Sequence, residues 1–190
     1  MTTRIIILTG ERGVGKSTVC RETIALAQSN RFIGGGILTL SHPNGAMNVL
    51  DIHSGYAHRL TVGPDVSPAV PQGRFRFDPQ TLLWGNNVLA HTPSCHLFVV
   101  DELGPLELER RQGWQQAFGV LHKGDFELAL VVVRPSLVIP AQLRLPSTAT
   151  TVLTVTLHNR DVLPSTLLEV LKKETDLAIS HNRGAEIDQE

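Results

Sequence analysis

The sequence predicts a doubly wound α/β domain built on a mostly parallel sheet, and three observations support this prediction. Four short apolar runs have the composition of strands that are buried on both faces. Segments with helical periodicity separate these runs along the chain. The 190-residue chain is 42% hydrophobic and 18% charged, which is enough apolar material for one globular core. We expect one domain at 1–175, with an antiparallel hairpin insertion at 33–77 and a polar, unpatterned tail at 176–190.

The first predicted elements are a strand and the helix that follows it. The stretch RIIILT (4–9) is a continuous β-branched run that ends at a glycine, as expected of a central strand in a parallel sheet. The segment 16–30 has the spacing of a helix with one apolar stripe. That stripe consists of Val19, Thr23, Ile24 and Ala27.

The insertion at 33–77 interrupts this alternation. The stretch GGGILTLSHPNGAMNVLDIHSG reads as two alternating strands around a turn at Asn44-Gly45. A proline-rich loop follows, and then a short strand, GRFRF, in which Arg74 and Arg76 alternate with two phenylalanines. This alternation leaves two interpretations of the arginines open: the solvated face of an edge strand, or a contact to phosphate groups.

The second half of the chain returns to alternating elements. Asp78-Pro79 has the form of an N-cap and first turn, which predicts a helix through about Leu89. A second helix is predicted near 112–124 from apolar residues at helical spacing, and a third at 163–174. The predicted buried strands are 96–102, 127–134 and 150–156.

The loop after the first strand matches the phosphate-binding (Walker A) pattern G-x-x-x-x-G-K-[ST] at Gly10, Gly15, Lys16 and Ser17. Glycines let backbone amides approach a phosphate chain, and the helix N-terminus adds a favourable dipole. In this pattern the lysine lies at the β- and γ-phosphates and the hydroxyl binds Mg²⁺. The residues predicted to contact the nucleotide here are Gly10, Glu11, Arg12, Gly13, Val14, Gly15, Lys16, Ser17 and Thr18.

The alternative for this loop is a glycine-rich turn with an idle lysine. It is disfavoured because nothing structural requires a lysine at that position.

An acidic pair, Asp101-Glu102, ends the predicted strand 96–102. Carboxylates at the carboxyl end of a parallel strand lie where such sheets bind ligands. We expect Asp101 to bind Mg²⁺ together with Ser17, in the Walker B role, and Glu102 to polarise an attacking water. The alternative is two acids that enter a solvated loop.

The acidic pair also predicts the order of the strands. An acid directly after the metal-binding aspartate indicates hydrolysis, and it implies one further strand between the Walker A and Walker B strands. The run 127–134 is the natural occupant. The predicted class is therefore a P-loop NTPase with a RecA-like, mostly parallel sheet of core order 5-1-4-3, where the insertion takes number 2.

Three blocks of the sequence resemble the cancer-related nucleoside-triphosphatase family of small P-loop enzymes. LTGERGVGKSTV resembles the family's phosphate loop, and VVDELGPLELER resembles its Asp-Glu-Ile-Gly-x-Met-Glu-Leu segment. VTLHNRDVLPSTLLEVL (155–171) is similar to its late Val-Thr-x-x-Asn-Arg block. The resemblance implies Mg²⁺-dependent hydrolysis of nucleoside triphosphates, ATP and GTP among them, to diphosphate and phosphate, with broad base tolerance.

The hairpin departs from that resemblance. The family's hairpin carries acidic and arginine residues around a Gly-Phe pair, whereas Leu40, Ser41 and Met47 occupy roughly those places here. The departure leaves substrate preference open, together with a role of the 33–77 insertion in binding another protein.

Three further residues have two interpretations each. Asn159 and Arg160 follow the last predicted strand, where they contact the nucleotide or form hydrogen bonds at a helix start. Arg134 ends a strand, where it senses the γ-phosphate or caps the strand edge. Glu107 is expected to be a solvated charge on a helix face.

Composition bears on partners and location. The net charge is −1, the pI is about 6.7, and there is no basic block, so no nucleic-acid partner is expected. Cys20 and Cys95 lack metal-ligand spacing and are expected to be reduced thiols. The apolar run at the start is too short for a signal peptide, and no 18-residue apolar segment follows. We therefore expect a cytoplasmic protein without a membrane partner.

The sequence thus predicts a nucleoside-triphosphate phosphatase with Lys16 and Glu102 as catalytic residues. Slow turnover is expected, because no arginine is clearly placed as a finger. One alternative is a P-loop kinase that acts on a small acceptor, although 135–149 offers only Arg144 where such enzymes carry paired lid arginines. The other is a nucleotide-binding switch or assembly factor with little hydrolysis.

Overall fold

The computed structural model describes residues 3–147 and 149–187, with side chains through 180, and alternates strands with helices along most of that length. The strands are β1 (Arg4–Thr9), β2 (Gly34–Ser41), β3 (Met47–Asp51), β4 (Ala57–Arg59), β5 (Val70–Gln72), β6 (Phe75–Phe77), β7 (Cys95–Leu103), β8 (Phe126–Val133) and β9 (Thr150–Thr154). The helices are α1 (Lys16–Ser29), α2 (Pro79–Ala90), α3 (Pro105–Leu108), α4 (Gln116–Lys123), α5 (Val138–Gln142) and α6 (Leu163–Ile187). A single 3₁₀ turn, Pro135–Leu137, precedes α5.

The main sheet has seven strands in the order β4-β3-β2-β7-β8-β1-β9. The four strands β9, β1, β8 and β7 pair in parallel, with Arg4 opposite Leu128 and Ile5 opposite Thr150. The predicted core order 5-1-4-3 is confirmed. It arises because each parallel strand needs a helical crossover, and those crossovers lie on the two faces of the sheet.

Both faces of the central strands are buried, as their continuous apolar sequences predict. Ile5 and Ile7 belong to the core layer under α2 and α4, whereas Ile6 and Leu8 face the layer under α1 and α6. Alternate residues of one strand therefore contribute to opposite layers. This packing fixes the carboxyl ends of β1, β7 and β8 at one edge of the sheet.

The first strand of the predicted insertion belongs to the parallel sheet, which corrects the description of 33–77 as a wholly antiparallel insertion. β2 pairs in parallel with β7, with Gly34 opposite Leu97, and only then do β3 and β4 continue antiparallel. The sequence predicted this strand but not its pairing with β7, and Gly36 is a position at which the two strands approach closely. Its φ is +94°, and a Cβ there would lie 2.1 Å from the carbonyl oxygen of Val99. Glycine weakens the sequence pattern of a strand but permits this close approach.

The remaining part of 33–77 forms the predicted turn and a separate two-stranded sheet, β5-β6. Asn44 and Gly45 lie in the turn between β2 and β3, where the Asn44 side chain accepts a hydrogen bond from the Ala46 amide. Asp78 then caps α2 as predicted, since its carboxylate accepts hydrogen bonds from the amides of Gln80 and Thr81.

The last helix is longer than the sequence predicts. α6 continues to Ile187, so 176–187 is helical rather than an unpatterned tail. Ala178 is buried, which shows that the helix still packs beyond the predicted end. Residues 188–190 of that predicted tail lie outside the described residues, and the domain limits of 1–175 stay a prediction. In the described part of the chain, no helix combines the length and apolarity needed to cross a membrane.

Candidate active site

The loop between β1 and α1 has the backbone that its glycines allow. Gly10 has φ +141°, and a Cβ there would lie 2.4 Å from the carbonyl oxygen of Val155. Lys16 Nζ lies inside the curve of the loop, where it donates to the carbonyl oxygens of Gly10 (2.6 Å) and Glu11 (2.9 Å). A cation held at the mouth of a helix N-terminus is suited to meet a phosphate chain.

Both predicted acids lie on the same side of the molecule as this lysine. Burial lowers the pKa of Lys16, and the negative charges of Glu102 and Asp101 oppose that lowering. The two carboxylates and the ammonium thus interact electrostatically, although 85 residues separate Lys16 from Asp101 in sequence. The carboxyl ends of β1 and β7 bring them together.

Asp101 is buried at 2% exposure. Burial raises its pKa to about 7, and a hydrogen bond from the Ser17 hydroxyl opposes the rise. Its backbone carbonyl accepts a hydrogen bond from the Thr39 hydroxyl on β2. Its Oδ2 is buried and has no hydrogen-bond partner among the described residues.

The surroundings of Asp101 fit Mg²⁺. A carboxylate and a hydroxyl are the oxygen donors that this cation prefers. An unpaired buried carboxylate oxygen costs free energy unless a cation or donor meets it. Ser17 and Asp101 therefore form a donor set that Mg²⁺ would complete.

Glu102 is paired with an arginine that the sequence did not connect to it. Its carboxylate forms an ion pair with Nε of Arg134, which directly follows β8. The regular β7–β8 register shifts between Val100 and Leu103, and Glu102 lies within that irregularity. The side chain is about one-third exposed, so it reaches the cleft rather than the core.

Glu107 differs most from its expected role. It is 3% exposed rather than solvated, and its carboxylate accepts hydrogen bonds from the amides of Gly104 (2.8 Å) and Trp114 (3.1 Å). Burial raises its pKa to about 7, and these hydrogen bonds oppose the rise. The sequence did contain a sign of this role, because Glu107 follows the chain break at Gly104 by three residues, the spacing of a capping interaction.

A cleft of about 800 Å³ connects these groups. On one side it is lined by the phosphate loop and by Asp101, Glu102 and Arg134. Thr39, Met47, Arg74 and Phe75, from β2, β3 and the β5-β6 sheet, also line it. The predicted nucleotide-binding residues that line the cleft are Gly10, Glu11, Arg12, Gly13, Lys16 and Ser17.

The other predicted contacts are not among the residues that line the cleft. Val14 is buried in the core, Gly15 precedes α1, and Thr18 is exposed on α1. Asn159 accepts a hydrogen bond from the Thr156 amide and donates to the Thr154 carbonyl, which is the helix-start arrangement. Arg160 lies against Gly15, because a Cβ added to Gly15 would be 3.2 Å from the Cδ atom of Arg160.

The phosphate loop follows β1, and the two acids lie at the end of β7, which β8 separates from β1 in the sheet. This arrangement defines a P-loop NTPase fold. A family model described as NTPase matches residues 5–168. The chain belongs to that NTPase family, and the resemblance seen in its three sequence blocks is confirmed.

Two known proteins are similar to this chain. The nucleoside-triphosphatase THEP1 of Methanosarcina acetivorans is 33% identical over 109 residues, which cover 54% of this chain and 61% of that protein. The chain thus matches about three-fifths of the length of this curated relative. The crystal structure of THEP1 from the hyperthermophile Aquifex aeolicus superposes with a TM-score of 0.65 at 18% identity, covering 88% of this chain and 98% of that one. The second similarity shows the fold.

Proposed function

We propose that this protein hydrolyses nucleoside triphosphates to diphosphate and phosphate with Mg²⁺, with broad base tolerance and slow turnover. The observation that carries the proposal is the convergence of Lys16, Ser17, Asp101 and Glu102 on one cleft. Membership of the NTPase family supports the reaction class. The name of the archaeal relative, a nucleoside-triphosphatase, supports it as well.

In this proposal the phosphate loop binds the substrate. Amides of Gly10–Ser17 and the N-terminus of α1 cradle the β-phosphate. Lys16 exchanges its two carbonyl partners for phosphate oxygens, and its charge stabilises the negative charge that develops as the bond to the leaving diphosphate breaks.

Glu102 orients the attacking water and accepts its proton. The water oxygen forms the new bond to the γ-phosphorus while the bond from that phosphorus to the diphosphate oxygen breaks. Arg134 holds the Glu102 carboxylate and places a positive charge beside the reacting phosphate. Turnover is expected to be slow because this arginine is already paired, and a free arginine finger contributes ~10³–10⁵ in rate.

Ser17 and Asp101 are the residues that would hold Mg²⁺. When bound, the ion neutralises charge on the β- and γ-phosphate oxygens.

The test is Mg²⁺-dependent phosphate release from ATP, GTP, CTP and UTP by the natural protein and by Glu102→Gln. The variant is expected to keep its nucleotide affinity while hydrolysis drops ~10²–10⁴-fold. Glu169→Gln, the same change at an exposed glutamate of α6 outside the cleft, is the matched control. Equal turnover in Glu102→Gln and the natural protein would remove Glu102 from the mechanism.

A specific contact disfavours the kinase alternative. Arg144 donates a hydrogen bond to the carbonyl of Glu107 (2.7 Å), and its Cζ lies 3.6 Å from the centre of the Phe118 ring. An arginine fixed in this way is not available as a mobile lid residue. Phosphorylated acceptor in place of free phosphate would favour the kinase, and tight binding with negligible phosphate release would favour the switch.

A further inference from the structure

A second cavity adjoins the active-site cleft. It has a volume of about 290 Å³ and is bounded by the turn at 44–46, by residues 61–64 after β4, and by β6. Gly45, Arg74 and Phe75 line both this cavity and the cleft. A molecule bound in the smaller cavity would therefore lie beside the nucleotide site.

Three arginines line this smaller cavity, which we call the arginine cavity: Arg59, Arg74 and Arg76. No described residue that lines it is an aspartate or a glutamate. Within the described residues, none of the three arginines forms an ion pair. The whole chain has 18 acidic and 17 basic side chains. Acidic side chains are therefore as common as basic ones in the chain, so an excess of arginine does not explain why three arginines lie together with no carboxylate beside them.

Each guanidinium is held by one contact that leaves other donors unused. Arg76 Nη2 donates to the carbonyl of Val66 (2.9 Å), and Arg59 Nε donates to the carbonyl of Thr61 (3.1 Å). Arg74 Cζ lies 4.9 Å from the centre of the Phe75 ring. Arginine carries five N–H donors, so most of the hydrogen-bonding capacity of these side chains remains. Such anchoring reduces the entropy lost when an anion binds.

Arg76 provides a further observation. Its Nε is buried and has no hydrogen-bond partner among the described residues. Buried N–H groups in native proteins are nearly always paired, and an exception calls for an explanation such as an absent ion or ligand. This N–H is closed off from solvent, so an oxyanion in the arginine cavity would bind the Nη groups of the arginines and reach this N–H only if the Arg76 side chain turned.

We propose that the arginine cavity binds the phosphate group of a small anionic molecule other than the substrate nucleotide. The planar guanidinium matches phosphate oxygens with two parallel hydrogen bonds, and a phosphate dianion balances several positive charges better than a single carboxylate does. The volume suits a phosphate group with a small organic part. Of the two interpretations that the alternating Arg74 and Arg76 left open, this proposal selects the phosphate contact.

The test is a calorimetric titration with inorganic phosphate, or with glycerol 3-phosphate, while saturating Mg·ADP occupies the phosphate loop. Saturable binding is expected, with at least a tenfold loss of affinity in Arg76→Gln and in Arg59→Gln. Arg21→Gln, an exposed arginine on α1, is the matched control and is expected to bind as the natural protein does. Tighter binding of the ester than of free phosphate would identify an organic phosphate as the ligand, and the reverse would identify phosphate itself.

Three results would overturn the proposal. These are absence of binding to either probe, equal affinity in both arginine variants and the control, and binding that Mg·ADP abolishes. Circular dichroism of each variant separates lost binding from lost folding, and two independent variants protect against one that fails to fold. Repeating the titration with Lys16→Met, without nucleotide, keeps the result independent of ADP binding. Phosphate release from ATP by Arg59→Gln is expected to be unchanged, so failure of this site and failure of the proposed hydrolysis are distinguishable.

Discussion

The phosphate loop and the outer half of the main sheet are built on different principles. In the loop (Gly10–Ser17), neighbours in sequence make the geometry, and Lys16 bonds to carbonyls five and six residues away. In the outer half (β2, β3 and β4), the geometry depends on a pairing between Gly34 and Leu97, 63 residues apart. A structure formed by neighbours in sequence can be predicted from a contiguous motif. A structure formed by distant segments cannot, because it depends on the residues of the partner strand.

In the loop, a large effect on catalysis is expected. Lys16→Met removes the charge that meets the phosphates, so hydrolysis is expected to fall ~10²–10³-fold, as for the loss of one preorganised transition-state contact. The thermal midpoint of unfolding should hardly change, because burial already disfavours the charged form of this lysine. Steady-state phosphate release and a thermal melt measure the two effects. A large loss of stability would mean that the loop lysine is a structural residue.

In the outer half, Gly36→Ala is expected to act on stability instead. The added methyl group would meet the Val99 carbonyl at 2.1 Å, in a backbone region that side chains rarely adopt. Strain and overpacking together predict a loss of about 3–5 kcal/mol in the free energy of unfolding. Gly119→Ala is the control, since it lies in α4 with no atom within 4 Å, and it should gain about 1 kcal/mol. Chemical denaturation compares them, and equal midpoints would contradict the assigned β2–β7 contact.

The raised pKa of Glu107 predicts how the free energy of unfolding depends on pH. Its pKa is about 7 when folded and 4.5 in the reference state. The folded protein therefore keeps this proton to higher pH than the unfolded chain. The protonated Glu107 carboxyl group therefore contributes fully to the free energy of unfolding below about pH 4.5, and this contribution is lost as the pH rises through about 7.

Glu107→Gln should remove this contribution. Between pH 4.5 and 8, the unfolding free energy of the natural protein should fall by about 2–3 kcal/mol more than that of the variant. Asp101, which behaves in the same direction, remains in both proteins and serves as the internal reference. Denaturation at several pH values measures the difference. Parallel curves would show that Glu107 does not change its protonation on unfolding.

The smallest effect concerns a hydrogen bond between the outer half and β7, the strand that carries Asp101 and Glu102. Thr39→Val removes the hydroxyl that donates to the Asp101 carbonyl but keeps the shape of the side chain. One hydrogen bond predicts a loss of about 1 kcal/mol in stability, with a several-fold fall in kcat if β2 helps to hold the acids. Thr150→Val, which removes a hydroxyl bond to Pro146 away from the cleft, is the control. Equal kcat in both variants would show that the outer half does not influence the site.

The sequence predicted the central fold and the residues of the cleft for a physical reason. Buried parallel strands need continuous apolar runs, and a phosphate loop needs glycines before a lysine, so both leave local patterns. The strand β2 was predicted, but its parallel pairing with β7 was missed because that pairing depends on the close approach at Gly36, which no local pattern encodes. The burial of Glu107 was missed because its partners, Gly104 and Trp114, are backbone amides that any residue type provides. The Glu102–Arg134 pair was missed because it joins two strand ends through a register irregularity that no spacing encodes.

The position of β1 between β8 and β9 in the sheet has a consequence for synthesis of the chain. Within this domain β1 is synthesised before its partners, which are β8, with Leu128 opposite Arg4, and β9, with Thr150 opposite Ile5. Most of the polypeptide must emerge before either neighbour exists, and long-range parallel pairing of this kind forms slowly. The apolar, β-branched residues of β1 therefore stay unpaired during translation until β8 and β9 emerge, and β1 is the segment that a chaperone would shield.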